Sequence, residues 1–274
     1  MKTVRALVIA GNGTNCERVV ANACRLAGAE CDIVHVAELL AGRRRLDDYH
    51  FLNLAGGFLD GDDLGSAKAR ANRLQHARVA GSSETLAEQL QRFIAAGNLV
   101  MGVCNGFQLM VKMGLLPALG RDYRSQSVTL TFNDGGHFED RWVDLAVDPD
   151  SPCIFTRGLE RLYFPVRHGE GKFVPVSPQV LADIESGHLA AVRYSDPATG
   201  LPTMAYPANP NGSIAAIAGI CDESGRLFGL MPHPEAFVHH THHPRWTREP
   251  QLPEQGQGLA LYRNAVDFIR GELL

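Results

Sequence analysis

The sequence lacks the compositional signs of several protein classes. Charge of neither sign dominates, because 26 lysines and arginines face 30 aspartates and glutamates, and the net charge is −4 over 274 residues. This balance gives no indication of binding to nucleic acid or to an anionic membrane, and we predict neither as a partner. No apolar run approaches the ~20 residues that a membrane-spanning helix requires.

Cysteine is sparse, with 6 residues and no C-x-x-C pair. A chain of this length can bury a sizeable core without disulfides, so we expect reduced thiols and a cytoplasmic location. The first apolar run, Thr3–Ala10, passes directly into Gly11-Asn12-Gly13-Thr14 and a helical pattern. This rhythm predicts a strand followed by a helix, and we expect no signal sequence.

Internal repeats, low-complexity tracts and composition-marked linkers are also missing from the sequence. We therefore predict one domain over residues 1–274. Two segments read as irregular insertions, one near residues 60–83 and one near residues 239–257, and the second is expected on the surface.

Short apolar runs alternate with helical patterns in the first half, which predicts an α/β fold with a parallel sheet covered by helices on both faces. The predicted strands are Thr3–Ala10, Cys31–Val36, Phe51–Leu54 and Asn98–Val103. The predicted helices are Asn15–Ala27, Glu84–Ala96 with Ser82-Ser83 as its cap, and Asn105 to about Met113.

The second half has more frequent turns and more alternation. Its predicted strands are Val128–Phe132, Arg141–Val147 and Leu189–Tyr194, with a hairpin of Ile214–Ile220 and Arg226–Met231 and a last helix from about Gly258 to Arg270.

A cysteine between two glycines follows the Asn98–Val103 strand, in the order Gly102-Val103-Cys104-Asn105-Gly106. This is the cysteine form of the nucleophile elbow, a tight strand-to-helix turn that presents a thiol at the end of a strand. The positive end of the following helix favours the thiolate. Cys104 is therefore the candidate nucleophile.

A thiol nucleophile needs a base, and the candidate is His233, flanked by Pro232 and Pro234. In extended backbone Glu235 would share its face, and a carboxylate there can fix the tautomer of the imidazole. By itself His-Pro-Glu fits an ordinary turn equally well.

Donors for a developing oxyanion are also required. Gly56 and Gly57 follow the Phe51–Leu54 strand and can present an unobstructed backbone N–H, and the N–H of Asn105 is the second candidate. Considered alone, Gly-Gly after a strand more often marks a simple turn.

Together these motifs resemble the class I glutamine amidotransferases. The Gly102–Gln108 elbow, the Gly56-Gly57-Phe58 turn and His233-Pro234-Glu235 carry that resemblance. Three further segments resemble the family of glutaminase subunits of phosphoribosylformylglycinamidine synthase: Gly11–Glu17, His168–Lys172 and Tyr206–Ser213. The matches occur in the family's order from the first strand to the last helix.

The resemblance implies a flavodoxin-like three-layer sandwich with a mostly parallel central sheet. It also implies that Cys104 attacks the side-chain amide of glutamine, forms a γ-glutamyl thioester and releases ammonia, with His233 as base and acid and Glu235 orienting it. Further substrate-site residues implied by the resemblance are Phe58, Gln108, His168, Glu170, Asn209 and Asn211.

The family's ammonia passes to a large ATP-dependent synthetase subunit (PurL-like) in purine synthesis, and a small third subunit (PurS-like) is left open. No cofactor is expected in this chain, with ATP and Mg²⁺ expected on the partner. The sequence agrees, because it has no phosphate loop of the G-x-x-x-x-G-K-[ST] type.

Two departures from the family pattern affect the edge of the glutamine pocket and the interface. Leu59-Asp60 stands where members often have Ser-Tyr, and Ala236 stands where an arginine often follows His-Pro-Glu. Two other functions stay open at this point: a free-standing cysteine hydrolase or peptidase with the same elbow, and a non-catalytic assembly subunit.

Two clusters of possible ligands are interpreted as loops. His239-His240-Thr241-His242-His243 has the residue type of a metal site but no cysteines nearby, so a surface loop is favoured and no metal is predicted. Asp60, Asp62 and Asp63 are interpreted as a solvated acidic loop rather than a magnesium site.

Overall fold

A computed structural model describes residues 2–274. Its strands are β1 Arg5–Ala10, β2 Glu30–His35, β3 Phe51–Leu54, β4 Leu99–Val103, β5 Val128–Thr131, β6 Glu139–Val147, β7 Arg161–His168, β8 Lys172–Pro175, β9 Val192–Tyr194, β10 Ile217–Cys221 and β11 Leu227–Leu230. Its α-helices are α1 Glu17–Leu26, α2 Val36–Leu40, α3 Lys68–His76, α4 Leu86–Ala95, α5 Asn105–Lys112, α6 Pro178–Ser186 and α7 Gly258–Phe268.

Nine of the strands form one mixed sheet in the order β2-β1-β3-β4-β11-β10-β9-β6-β7. The five strands from β2 to β11 are parallel, and the remaining four continue the sheet in antiparallel pairs. Strands β5 and β8 form a separate antiparallel pair. The α/β three-layer expectation is confirmed.

Helices cover both faces of the parallel half. Helices α1 and α7 contact each other on one face, and α3 contacts both α4 and α5 on the other. Strand β3 is buried along its whole length, and its alternate residues face these two layers. Phe51 packs against Phe155 and Tyr262 on the α7 side, whereas Leu52 and Leu54 face the leucine-rich layer of α3, α4 and α5.

Several boundaries and elements differ from the sequence expectation. Helix α4 is capped by Thr85 rather than by Ser82-Ser83, because Thr85 and Glu88 form a reciprocal capping box. The 60–83 segment is not irregular throughout, since it contains α3. The strand β9 is shorter than predicted and begins at Val192 rather than Leu189.

Strands β7 and β8 and helix α6 have no counterpart in the sequence expectation. Strand β7 contains Pro165, which normally argues against a strand. It occupies the edge of the sheet, where a residue without an N–H is tolerated. No helix in residues 2–274 has both the length and the apolar composition needed to cross a membrane.

Candidate active site

Cys104 stands at a sharp bend between β4 and α5. Its N–H donates to the carbonyl oxygen of Leu230 over 2.9 Å, and its backbone has φ 52° and ψ −109°. A positive φ is strained for a residue with a side chain and is typical of a position held by its surroundings for function. The predicted elbow is present.

The flanking glycines allow α5 to lie directly against the sheet. A Cβ on Gly106 would lie 2.6 Å from the carbonyl carbon of Leu54, and one on Gly102 would lie 2.7 Å from the carbonyl carbon of Gly106. Neither neighbour can yield easily, because both are backbone atoms. Glycine is therefore required at both positions to place the thiol at this bend.

His233 follows β11, the strand that runs parallel to β4 and pairs Leu230 with Val103. The carboxyl ends of two adjacent parallel strands thus bring His233 and Cys104 to the same edge of the sheet. The His233 N–H donates to the carbonyl oxygen of Pro165 over 2.8 Å, which fixes the backbone.

Glu235 contacts the imidazole directly. Its Oε1 lies 2.6 Å from Nδ1 of His233, and both residues are 2% exposed. The two do not share a face of an extended strand, as the sequence expectation had it. A single 3-10 turn at Pro234–Ala236 returns the carboxylate to the ring, and α7 packs on that turn at Gly258.

Burial favours the neutral form of His233, but its surroundings outweigh that effect. The Glu235 carboxylate and the nearby thiols of Cys104 and Cys16 raise the pKa of His233 well above its usual 6.5. Its Nε2 is buried and has no hydrogen-bond partner of good geometry in residues 2–274. This nitrogen is available to a reacting group.

The thiol of Cys104 donates to the carbonyl oxygen of Arg167 over 3.5 Å. Gly56 lies beside both reactive groups, because a Cβ built there would be 3.1 Å from Cε1 of His233 and 3.5 Å from Cβ of Cys104. The turn after β3 therefore closes the third side of the site.

The backbone N–H groups predicted as oxyanion donors, those of Gly56, Gly57 and Asn105, make no hydrogen bond within residues 2–274. Gly57 has φ +130°, and Asn105 stands at the start of α5. Gly57 is held by an antiparallel bridge to Thr14, so the loop before α1 positions the turn. Free donors at a turn and at a helix N-terminus are what an oxyanion requires.

A pocket of about 130 Å³ opens onto the Cys104 thiol. Phe58, which is 50% exposed, and Phe138 lie at its rim. Its lining consists of Asn15, Cys16, Gly57, Phe58, Asp62, Ser66, Cys104, Gln108, Phe138, Arg167, His168, Gly169, Glu170 and His233.

Gln108 and Glu170 connect the two sides of the pocket. The Gln108 Nε2 donates to the carbonyl oxygen of Glu170 over 2.6 Å, and the Glu170 carboxylate accepts from the N–H of Ser66 over 3.1 Å. Asn105 donates its side-chain N–H to Gln108 Oε1 over 3.2 Å. Both predicted residues lie in the pocket.

His168 also lines the pocket but is neutral. Burial, followed by the charge of His233, lowers the pKa of His168 to about 3. Its Nδ1 lies 3.1 Å from Oδ1 of Asn133. A buried neutral ring in this position suits a structural or polar contact rather than a charged one.

Asn209 and Asn211 do not line the pocket, in contrast to the sequence expectation. Asn211 lies behind His168 and donates to the carbonyl oxygen of Gly171 over 2.9 Å and to the hydroxyl oxygen of Tyr194 over 3.0 Å. Asn209 accepts the N–H groups of Gly212 and Ser213. Both side chains therefore use their hydrogen-bonding groups to hold loops in place.

Seven pocket residues were not predicted individually as site residues: Asn15, Cys16, Asp62, Ser66, Phe138, Arg167 and Gly169. Cys16 belongs to the Gly11–Glu17 motif, and Asp62 belongs to the acidic loop of Asp60, Asp62 and Asp63. Burial raises the pKa of Asp62, and the charge of nearby Glu170 adds to this effect. Hydrogen bonds from Ala67 and Ser66 lower the pKa but do not outweigh the rise.

The histidines at 239–243 do not form a metal-binding cluster within residues 2–274. His243 is 5% exposed and packs against Trp142, Tyr163 and Phe237, so the segment is not wholly a surface loop.

A larger cleft of about 400 Å³ lies at the opposite, amino-terminal end of β11 and is lined by Arg121, Arg124 and Arg226. It contains neither a cysteine nor a histidine, so the smaller pocket is the candidate active site.

Comparison with known proteins confirms the family that the sequence motifs resemble. The model of the CobB/CobQ-like glutamine amidotransferase domain matches residues 3–269. The chain belongs to this glutamine amidotransferase family. Among members of the family, the chain is 46% identical over 270 residues to phosphoribosylformylglycinamidine synthase subunit PurQ of Dehalococcoides mccartyi, covering 98% of this chain and 99% of that one.

Two further relatives extend the comparison. The PurQ subunit of Methanococcus maripaludis is 36% identical over 274 residues, and 97% of each chain is covered. In the solved structure of PurLQS from Thermotoga maritima, one chain matches with a TM-score of 0.69 and 28% identity, over 98% of this chain and all of that one. This chain therefore resembles PurQ subunits over 97% of its length or more.

Proposed function

We propose that this chain is the glutaminase subunit of phosphoribosylformylglycinamidine synthase, an enzyme of purine biosynthesis. The observation that carries the proposal is the meeting of Cys104 and His233 at the ends of two adjacent parallel strands, with Glu235 2.6 Å from the imidazole. The relatives in Dehalococcoides mccartyi and Methanococcus maripaludis are both PurQ subunits.

In the first half-reaction the sulfur of Cys104 attacks the side-chain amide carbon of glutamine, and His233 takes the thiol proton at Nε2. The amide oxygen becomes an oxyanion, which the free N–H groups of Gly57 and Asn105 stabilise. The imidazolium then gives its proton to the leaving nitrogen. Ammonia departs, and a γ-glutamyl thioester stays on Cys104.

In the second half-reaction a water molecule attacks the thioester. His233 removes a proton from that water and returns a proton to the sulfur, which releases glutamate and restores the thiol. Glu235 does not take the proton, since its role is to hold Nδ1–H and to stabilise the imidazolium.

The remaining pocket residues bind glutamine in this proposal. Gln108, Glu170, His168 and Phe58 surround the space next to the thiol. Asn211 does not touch glutamine but holds the loop that carries His168. Asn209 holds the loop that carries Asn211, through Gly212 and Ser213. The pair Asp62 and Glu170 supplies negative charge suited to an ammonium group.

The partner is a PurL-like synthetase subunit that uses ammonia and ATP to convert formylglycinamide ribonucleotide into its amidine. The solved PurLQS complex supports this partner. The proposal also includes a small PurS-like subunit and places ATP and Mg²⁺ on the synthetase. It assigns no cofactor to this chain and places the chain in the cytoplasm.

The test is Cys104→Ala in the complex reconstituted with its synthetase subunit. Amidine synthesis from glutamine should be lost, while synthesis from added ammonia should continue, because only the ammonia source has changed. Glutamine-dependent synthesis at the wild-type rate would mean that this chain has only an assembly role. Peptide hydrolysis without glutamine turnover by the wild-type chain would instead favour a free-standing hydrolase.

A further inference from the structure

A second thiol lies against the histidine of the proposed triad. Cys16 precedes α1, is 7% exposed and lines the same pocket as Cys104. One ligand atom from each of Cys16, His233 and Glu235 lies within 4.8 Å of the other two. The proposed hydrolysis gives Cys16 no chemical step, although its thiol is buried beside the base.

We propose that Cys16, His233 and Glu235 form an inhibitory binding site for a thiophilic divalent cation of the Zn²⁺ and Cd²⁺ class. A thiolate, an imidazole and a carboxylate are the three ligand types that Zn²⁺ takes in proteins, at roughly 2.0–2.3 Å each. Ligand atoms around one such ion lie about 3–4 Å apart, so small side-chain movements suffice to enclose it.

Charge and burial favour this ion over a hard cation. A thiolate on Cys16 and the carboxylate of Glu235 neutralise a divalent ion in a pocket where both residues are buried. The second carboxylate oxygen of Glu235, Oε2, is buried and has no hydrogen-bond partner within residues 2–274. That oxygen makes no hydrogen bond of its own that ligation would break, although ligation at Nδ1 of His233 replaces the hydrogen bond of that nitrogen to Oε1.

Cation binding changes the protonation of the site. The thiol proton of Cys16 leaves to solvent. Because Glu235 Oε1 lies 2.6 Å from Nδ1 of His233, an ion between the carboxylate and the ring uses Nδ1, whose proton leaves or moves to Nε2. A ring held by an ion at Nδ1 with a proton on Nε2 cannot accept the proton of Cys104.

Bound cation would therefore stop glutamine hydrolysis reversibly, and a chelator would restore it. The inhibition rests on the proposed function, but binding itself does not. Binding is accordingly measured by a signal that does not depend on turnover.

The experiment titrates the full chain with Cd²⁺ and follows sulfur-to-cadmium charge-transfer absorption in the ultraviolet. The variants are Cys16→Ser, Cys104→Ser and, as a matched control, Cys153→Ser, which removes a buried thiol outside the pocket. Mg²⁺ in excess tests whether the site prefers a soft ion.

We expect the wild type, Cys104→Ser and Cys153→Ser to bind one Cd²⁺ per chain, with no competition from Mg²⁺. Cys16→Ser should bind at least ~10–100-fold more weakly, since a lost ligand costs no less than a lost outer-shell partner. Retention of the wild-type titration by Cys16→Ser, or its loss only in Cys104→Ser, would overturn the proposal.

Glu235→Gln provides a second test that does not change a cysteine. It should weaken Cd²⁺ binding by a similar factor while circular dichroism shows the native fold. Unchanged Cd²⁺ affinity in folded Glu235→Gln would also overturn the proposal, whatever the effect of that substitution on glutamine hydrolysis.

Discussion

Replacement of Gly106 by alanine should separate the two sides of the oxyanion site. The new Cβ would lie 2.6 Å from the carbonyl carbon of Leu54 and closer still to its oxygen, whereas ordinary contacts begin at 3.4 Å. Helix α5 and the end of β3 must therefore move apart by at least 0.8 Å. Asn105 lies on one side of that gap, and Gly57 follows β3 on the other.

The size of the effect follows from this displacement. A misplacement of about 1 Å at a reacting centre can cost ~10²-fold in rate. Overpacking of this kind also destabilises a fold by about 1–3 kcal/mol, and the value here should lie in the upper part of that range because the neighbour is backbone. We predict a loss of glutamine-dependent turnover of roughly 100-fold in Gly106→Ala.

The assay compares glutamine-dependent and ammonia-dependent synthesis in the reconstituted complex and records the unfolding transition of each variant. Gly271→Ala is the matched control, because a Cβ there meets no atom within 4 Å. It should change neither turnover nor stability. Gly106→Ala with wild-type glutamine turnover would refute the argument that close packing of α5 on β3 sets the site.

Three further outcomes follow from the protonation of the histidines. His233→Ala should reduce glutamine hydrolysis by ~10²–10⁴-fold in steady-state assays, the usual contribution of a general base, and a smaller loss would assign that role elsewhere. The raised pKa of His233 contributes stability below pH 6.5 that is lost as pH rises through the folded pKa. Glu235→Gln removes the carboxylate that raises the pKa of His233. The difference in the free energy of unfolding between wild type and Glu235→Gln, measured in urea, should therefore shrink as pH rises. If this difference in unfolding free energy stayed constant or grew with pH, it would contradict the pairing of Glu235 with His233. His168, with a pKa of about 3, should show no NMR titration between about pH 5 and pH 8, and a midpoint near 6.5 would show an exposed ring.

The elements that fix the nucleophile were predictable because their signals are local. A buried strand, a cysteine between glycines and an amphipathic helix are adjacent in sequence, and the structure reproduces them at β4, Cys104 and α5. The His-Pro-Glu segment needed the family resemblance, because only the pairing of β11 with β4 brings it to the thiol.

The features that the sequence did not predict correctly depend on contacts between distant parts of the chain. Helix α3 is polar enough to read as a loop, and it is helical because Ala71 and Leu74 pack into the core of the fold. Cys16 reaches His233 only because the loop before α1 bridges to Gly57. Asn209 looked like a substrate contact because it belongs to a recognisable motif, yet its side chain holds Ser213.

Mass spectrometry of the chain quenched during glutamine turnover tests the central claim most directly. The account predicts one γ-glutamyl adduct per chain, located on Cys104 after proteolysis and absent from Cys104→Ala. An adduct on Cys16, or steady glutamine hydrolysis by Cys104→Ala, would contradict it.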